Sequence, residues 1–223
     1  MKKPPNNACK YPRTPHLPWC PGVSSDDRVL KDILHFEMKN VIVTEKMDGE
    51  CTSIYRDYIH ARSLDSATHL SQSWVRNFHS QIKHRIDPNL RICGENLYAK
   101  HSVSYESLPS FFMVFSIWSK DECLSWIDTE EICNALGLVT VPVITAGIWD
   151  LDGIENKCQN MKSLFTNEEN HEGFCVRMKA SYLFTDHEMS VAKYVRKNHV
   201  QTDEHWKKNW RDIPEMRNLL RKS

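Results

Sequence analysis

The sequence is short of several features that mark membrane, secreted and general polyanion-binding proteins. It has no apolar run of the roughly 18 residues that a membrane span needs, and its start, MKKPPNNACKYPRTP, lacks the apolar stretch of a signal peptide. Lys plus Arg and Asp plus Glu both total 29, so the formal net charge is zero. We therefore expect a soluble, intracellular, cytoplasmic protein that contacts nucleic acid only through local clusters of charge.

A disulfide framework and a structural zinc site are not indicated either. The eight cysteines are scattered without a C-x-x-C pair, and the eleven histidines are dispersed. Free, mostly buried thiols fit this pattern. The 223 residues, 40% hydrophobic and 26% charged, suffice for one core, so we expect a single domain over residues 1–223.

The pattern of apolar residues predicts an α+β fold of antiparallel sheets flanked by helices. Six prolines among the first 22 residues predict an irregular lead-in over residues 1–22. Helical periodicity predicts helices over residues 26–39, 71–86, 129–136, 152–164 and 204–220, with Gly137 ending the third. Strands are predicted at NVIVTEKM, ECTSIYRD, YIHARSL, LRICGENLY, SFFMVFSIW, TVPVITA, HEGFCVRM and SVAKYVR, the second and third forming a hairpin.

The segment TEKMDGECTS carries the most reactive chemistry. Lys46 follows an apolar strand and precedes Asp48 and the turn residue Gly49, which predicts an amine at the mouth of a cleft. A lysine becomes a nucleophile only when desolvation, neighbouring cations or a metal on the electrophile favours its neutral form. Because Lys-Asp pairs are common in exposed turns, this segment alone is weak evidence.

Six short segments in a fixed order resemble the motifs of the covalent nucleotidyltransferase superfamily, and most closely those of the ATP-dependent RNA ligase family. TEKMDG, HARS, CGENLY, FFMVFSIW, HEGFCVRM and VAKYVRK resemble motifs I, Ia, III, IIIa, IV and V. The lead-in KYPRTPHLPW also resembles the start of several of these ligases, so the resemblance spans residues 10–205. It implies an ATP-grasp-like nucleotidyltransferase (adenylation) domain that uses ATP and Mg²⁺ or Mn²⁺.

The resemblance also implies roles for individual residues. Lys46 would be adenylylated, Glu172 would bind a metal and Lys193 would contact the α-phosphate, and these three are the expected catalytic residues. The expected metal ligands are Glu172 and Glu95. Residues expected to bind the nucleotide are Glu45, Lys46, Arg62, Glu95, Phe115, Glu172, Lys193 and Arg196. An aromatic face suits adenine, carboxylates suit ribose hydroxyls or a metal, and cations suit phosphates.

Each of these residues taken singly has an ordinary structural interpretation. Phe115 could be plain core, Glu95 and Glu172 surface carboxylates, and Lys193 a solvent-facing strand residue. Arg62 could pair with a neighbouring aspartate, Asp65. The shared order of the motifs argues against coincidence.

Motif V departs from the pattern of many RNA ligases. The position of their second lysine is Val195 here, followed by Arg196 and Lys197. Either Arg196 or Lys197 takes over that charge, or one phosphate contact is missing.

Together these features predict a monomeric ATP-dependent RNA ligase that seals 5′-phosphate and 3′-hydroxyl ends in RNA repair, with an end-healing kinase or phosphatase as partner. A DNA ligase or a GTP-using capping enzyme is disfavoured because no OB-fold domain follows motif V. A non-catalytic RNA-binding module of the same fold and a generic α+β domain are further alternatives. The basic stretch 203–223, with Trp206 and Trp210 at helical spacing, predicts a helix that tracks a phosphate backbone or closes the core.

Overall fold

The computed structural model describes residues 8–64, 68–159, 162–166, 171–197 and 209–222. In chain order the strands are β1 Asn40–Lys46, β2 Glu50–Ile54, β3 Ile59–Ala61, β4 Leu90–Asn96, β5 Phe112–Ser119, β6 Glu122–Cys123, β7 Val139–Thr140, β8 Val143–Ile148, β9 Gly173–Met178, β10 Tyr182–Leu183 and β11 Val191–Val195. The helices are α1 Ser73–Ile82, α2 Trp126–Leu136, α3 Leu151–Gln159 and α4 His187–Ser190. None of the helices in these ranges is long and apolar enough to cross a membrane.

The strands form two sheets, and the α+β prediction is confirmed. One sheet has four strands in the order β11-β9-β1-β8, all antiparallel. The other has seven strands: the order β10-β6-β5-β4-β2-β3 is antiparallel, and the short β7 pairs with β5 in parallel. The predicted hairpin of β2 and β3 is present and closes where Tyr55 N donates to Tyr58 O at 2.8 Å.

β1 lies inside its sheet and is packed on both faces, which explains its continuous apolar run. Val41 and Val43 join one core cluster, whereas Ile42 points to the opposite face and joins another. Adjacent residues of a strand face opposite ways, so one short segment ties two layers of core together.

Two of the helices cover the seven-stranded sheet as the sequence pattern predicts. Val75 and Ile82 of α1 pack into the same cluster as Cys133 and Leu136 of α2. Ser125 caps the start of α2 by accepting a hydrogen bond from Asp128 N, and Gly137 ends the helix at a φ of 71°. Gly137 was predicted to end this helix, and a residue without Cβ is favoured at that left-handed position.

The predicted helix over residues 26–39 is wrong. Within this range the structure has a 3-10 turn at Leu34–Phe36 and no α-helix. The backbone groups before that turn make hydrogen bonds to the lead-in instead. His16 N donates to Arg28 O at 2.7 Å, and Leu30 N donates to His16 O at 2.9 Å. The lead-in thus takes up the hydrogen bonds that a helix would have closed locally.

The predicted C-terminal helix is also wrong over residues 210–222, while residues 203–208, with Trp206, lie outside the described part. A 3-10 turn at Pro214–Met216 is followed by extended chain that bridges Ala99 and Leu108. Pro214 cannot donate within a helix, and Trp210 is buried with Nε1 donating to Met216 O at 2.7 Å. This segment closes the core instead of forming a separate helix.

The chain passes from one sheet to the other between Lys46, which ends β1, and Glu50, which begins β2. Gly49 sits at this crossing, where a Cβ would lie 2.6 Å from Asn96 O. Asp48 is 5% exposed and accepts a hydrogen bond from Val103 N at 2.7 Å, while its own N–H donates to the Tyr105 hydroxyl at 2.9 Å. The crossing is therefore held rigidly, and Lys46 is positioned with it.

Candidate active site

A cavity of about 270 Å³ lies where strands of both sheets meet the lead-in. β1, β9 and β11 contribute residues from the four-stranded sheet, and β2, β4, β5 and β10 contribute residues from the other. Of the sequence-predicted residues, the cavity lining brings together Glu45, Lys46, Arg62, Glu95, Phe115 and Lys193.

Lys46 is the central cation of this cavity. Its Nζ donates to Glu172 Oε1 at 2.5 Å, and β9 holds the two together because Lys46 pairs with Gly173, the residue after Glu172. Burial of Lys46 disfavours its charge, but the carboxylates of Glu172 and Glu95 outweigh burial and raise the pKa of the amine above its ordinary value. In the protein alone, Lys46 is therefore an ammonium ion.

Two carboxyl groups are candidates for binding a divalent metal: Glu95 lines the cavity, and Glu172, which is not among the lining residues, contacts Lys46. Glu172 is 6% exposed, and burial raises the pKa of Glu95 to about 8, a rise that Lys46 opposes and Glu172 increases. Within the described residues, no group of three or more His, Cys, Asp or Glu is arranged as a metal site. Mg²⁺ is commonly held by one or two carboxylates, water and substrate phosphates, so this donor set fits such an ion beside a bound nucleotide.

The aromatic and phosphate-binding candidates occupy the cavity wall. Phe115 is partly buried, lines the cavity and meets the ring of Tyr11 edge-on at 5.2 Å between centroids. Lys193 faces Asp27, with 3.8 Å between Nζ and Oδ1. Arg62 also lines the cavity, and Asp65, its alternative partner, lies outside the described residues.

Glu45 and Arg196 differ in where their side chains lie. Glu45 is 3% exposed, and its Oε1 has no hydrogen-bond partner among the described residues. Burial raises the pKa of Glu45 to about 7, although Ser163 bonds to the carboxyl and opposes the rise. Arg196 is not in the cavity lining, because its Nε donates to His171 O at 2.7 Å. Lys197, the alternative, is exposed and does not line the cavity either.

Sequence reasoning missed the contribution of the lead-in and of the segment after it. Tyr11, Arg13, Asp27 and Arg28 all line the cavity. For Tyr11 and Arg13 the signal was the similarity of KYPRTPHLPW to the start of related ligases, which names no role for a residue. Asp27 lay in a segment predicted to be helical, so its place beside Lys193 was hidden.

Comparison with known proteins indicates a family and a fold for this chain. A family model described as RNA ligase matches residues 39–195, and none of the curated proteins gives a match. Solved structures with a similar fold include a Naegleria gruberi RNA ligase mutant with ATP and Mn, at a TM-score of 0.61 and 16% identity. The same organism's RNA ligase with PPi has a TM-score of 0.61 at 18% identity. A further mutant with AMP and Mn has a TM-score of 0.55 at 16% identity.

Each of these three comparisons covers 86% of this chain and 57% of the solved one. The chain therefore spans little more than half the length of the solved proteins that it matches. At such low identity, the likeness establishes a shared fold.

Proposed function

Because the chain belongs to the RNA ligase family, we propose that it is an ATP-dependent RNA ligase in which Lys46 is the residue that becomes adenylylated. The observation that carries this proposal is that Lys46, whose Nζ donates to Glu172 Oε1 at 2.5 Å, lines a cavity together with Glu95, Phe115 and Lys193. A buried amine among carboxylates, with a second cation and an aromatic ring nearby, suits transfer of a nucleotidyl group.

In the first step, Lys46 Nζ attacks the α-phosphorus of ATP. A bond forms between nitrogen and phosphorus, and the bond from that phosphorus to the oxygen bridging to the β-phosphate breaks. Pyrophosphate leaves, and Lys46 is left as a lysyl-adenylate. Since the carboxylates keep Lys46 protonated in the protein alone, its proton must leave before or during the attack.

Glu172 and Glu95 are the residues that would hold Mg²⁺ or Mn²⁺. Such an ion supplies positive charge, which favours the neutral form of a nearby amine and offsets the charge of the phosphates. Lys193 adds a protein cation for the α-phosphate, and Arg62 adds a second at the cavity wall. Phe115 provides a face for adenine.

In the second step, the AMP group passes from Lys46 to the 5′-phosphate of an RNA, which frees the lysine and forms a phosphoanhydride. In the third step, a 3′-hydroxyl attacks the RNA 5′-phosphorus, AMP leaves and a phosphodiester forms. We further propose a single catalytic domain over residues 1–223, working as a monomer in the cytoplasm in RNA repair. A kinase or phosphatase partner would prepare the ends.

The first experiment is incubation of the purified protein with α-labelled ATP and Mg²⁺ or Mn²⁺, followed by denaturation. We expect label on the wild-type chain, none on Lys46→Ala and unchanged label on Lys31→Ala, a control that removes an exposed lysine. Full labelling of Lys46→Ala would place the nucleophile elsewhere. No label on folded, AMP-free wild-type protein would favour a non-catalytic RNA-binding module.

The second experiment tests the substrate. Labelled GTP and NAD in place of ATP separate an RNA ligase from capping-type and NAD-dependent enzymes, and we expect only ATP to label Lys46. Nicked duplexes, broken hairpin loops and free single strands are then offered with 5′-phosphate and 3′-hydroxyl ends. Sealing of DNA strands in preference to RNA would contradict the RNA assignment.

A further inference from the structure

The lead-in lies along the outer edge of β11, the strand that carries Lys193. Lys193 N donates to Pro15 O and Leu17 N donates to Lys193 O, both at 2.9 Å. Further along, Gly22 N donates to Val195 O at 3.0 Å. The backbone on both sides of Lys193 is thus held by residues that precede the family match by more than fifteen positions.

The segment after the lead-in places the carboxylate of Asp27 beside the Lys193 side chain. Asp27 Oδ2 accepts hydrogen bonds from Ser24 Oγ at 2.7 Å and from Ser24 N at 3.1 Å, so its side chain has a fixed direction. Its Oδ1 lies 3.8 Å from Lys193 Nζ, and its Oδ2 lies 3.4 Å from Nε2 of the buried His16. Hydrogen bonds from Ser24 and the charge of Lys193 overcome the effect of burial and lower the pKa of Asp27 to about 2.

The two lysines of the cavity repel each other, and each has its own carboxylate. Glu172 bonds to Lys46, and Asp27 faces Lys193. A lysine side chain is flexible, so its ammonium group stays at one point only when a fixed partner holds it there. Without Asp27, Lys193 would be free to turn away from Lys46 and toward solvent.

We propose that Asp27 is a positioning residue that holds the Lys193 ammonium at the cavity wall, which makes residues 11–27 a working part of the active site. This inference rests on the proposed function for its catalytic consequence. Placement of a charged group matters because a small displacement from the reacting phosphate costs much of its effect on rate.

The main test is Asp27→Asn in the full chain, measured as single-turnover formation of the AMP adduct. At saturating ATP we expect the rate constant to fall about tenfold, with a smaller change in the ATP concentration that gives half the maximal rate. Asp27→Glu restores the carboxylate and should recover part of the rate. Ser24→Ala removes the hydroxyl that donates to the carboxylates of Asp27 and Asp26 and leaves the bond from Ser24 N to Asp27, so it should give a milder loss. It keeps the proposal testable if the Asp27 variant misfolds.

A second readout does not depend on catalysis. Lys193 is modified with an amine-reactive reagent over a range of pH, without nucleotide or metal, and the modified peptide is quantified by mass spectrometry. Burial and Lys46 already lower the pKa of Lys193, and loss of Asp27 should lower the midpoint of labelling by roughly a further half pH unit. The titratable groups that act on Lys193 from the packed elements are Lys46, Asp27, Cys175, Glu172 and His16.

Asp26→Asn is the matched control, because it removes the same charge from the neighbouring residue, whose carboxylate lies 3.9 Å from Arg13 while Asp27 is the one that faces Lys193. Asparagine keeps an oxygen that can accept the hydrogen bond from Ser24 Oγ. Its Lys193 labelling midpoint should equal that of wild type. An unchanged midpoint in Asp27→Asn, or an equal change in Asp26→Asn, would overturn the proposal. If wild type forms no AMP adduct while the Asp27→Asn midpoint still falls, the proposed function fails and the pairing of Asp27 with Lys193 stands.

Discussion

Gly173 is the position where a single methyl group should do most damage to the active site. It follows Glu172, pairs with Lys46 across β1 and β9, and has a φ of 158°. A Cβ there would overlap the carbonyl oxygen of Tyr194 and lie 2.9 Å from the carbonyl carbon. These are backbone atoms of β11, so the clash can be relieved only by moving a strand.

The magnitude for Gly173→Ala follows from two costs. Overpacking costs about 1–3 kcal/mol and an unfavourable backbone conformation roughly 1–2 kcal/mol, so we expect a loss of about 3 kcal/mol. For a chain of this length, that lowers Tm by roughly 6–12 °C in a thermal unfolding scan. Adduct formation on Lys46 should fall as well, because Glu172 moves with its neighbour.

Gly137→Ala is the comparison that isolates the packing cost. Gly137 also has a positive φ, of 71°, but no atom lies within 4 Å of where its Cβ would be. Only the backbone cost remains, about 1 kcal/mol or roughly 2–4 °C in Tm, with adduct formation unchanged. If Gly173→Ala and Gly137→Ala had equal Tm values, the predicted clash between a Cβ at position 173 and the β11 backbone would be refuted.

Two other residues give predictions with their own assays. Phe115→Leu keeps an apolar side chain but removes the aromatic face, so ATP should bind more weakly by about 1–3 kcal/mol in calorimetry; unchanged affinity would show that adenine does not stack there. Glu45 has a pKa of about 7 in the folded protein, above its ordinary value of 4.5, so its ionisation destabilises the fold as pH rises through that window. Glu45→Gln should therefore gain stability relative to wild type between pH 5 and pH 8, by at most about 3 kcal/mol in urea unfolding. A difference independent of pH would contradict this.

Much of the sheet structure was predictable because the strands carry short-range patterns. The buried run of β1 and the apolar segments of β4, β5 and β9 are visible in any window of eight residues. α1 was predictable for the same reason, since Val75 and Ile82 recur at helical spacing. Gly137 ended its helix as predicted because a left-handed residue is a local requirement.

The two incorrect helices had the same cause. Residues 26–39 have an apolar pattern compatible with a helix, but their backbone groups bond to His16, which lies outside any local window. Residues 210–222 are basic, and Trp210 stands four positions after Trp206, as in a helix. In the structure, however, Arg217 and Leu220 pair with Ala99 and Leu108, more than a hundred positions earlier. Long-range hydrogen bonds override local preference wherever the chain can satisfy its polar groups at a distance.

The sequence by itself indicated many of the side chains that line the site, because the residues of each motif are neighbours along the chain and their order is readable, but it did not indicate Asp27 or Arg28. It also determined that Lys46 follows a buried strand and precedes a glycine turn. Only the tertiary structure decided that Arg196 turns to His171 and that Asp27 faces Lys193. These contacts depend on which strands are neighbours in the sheets, and side chains 166 positions apart meet only after that order is set.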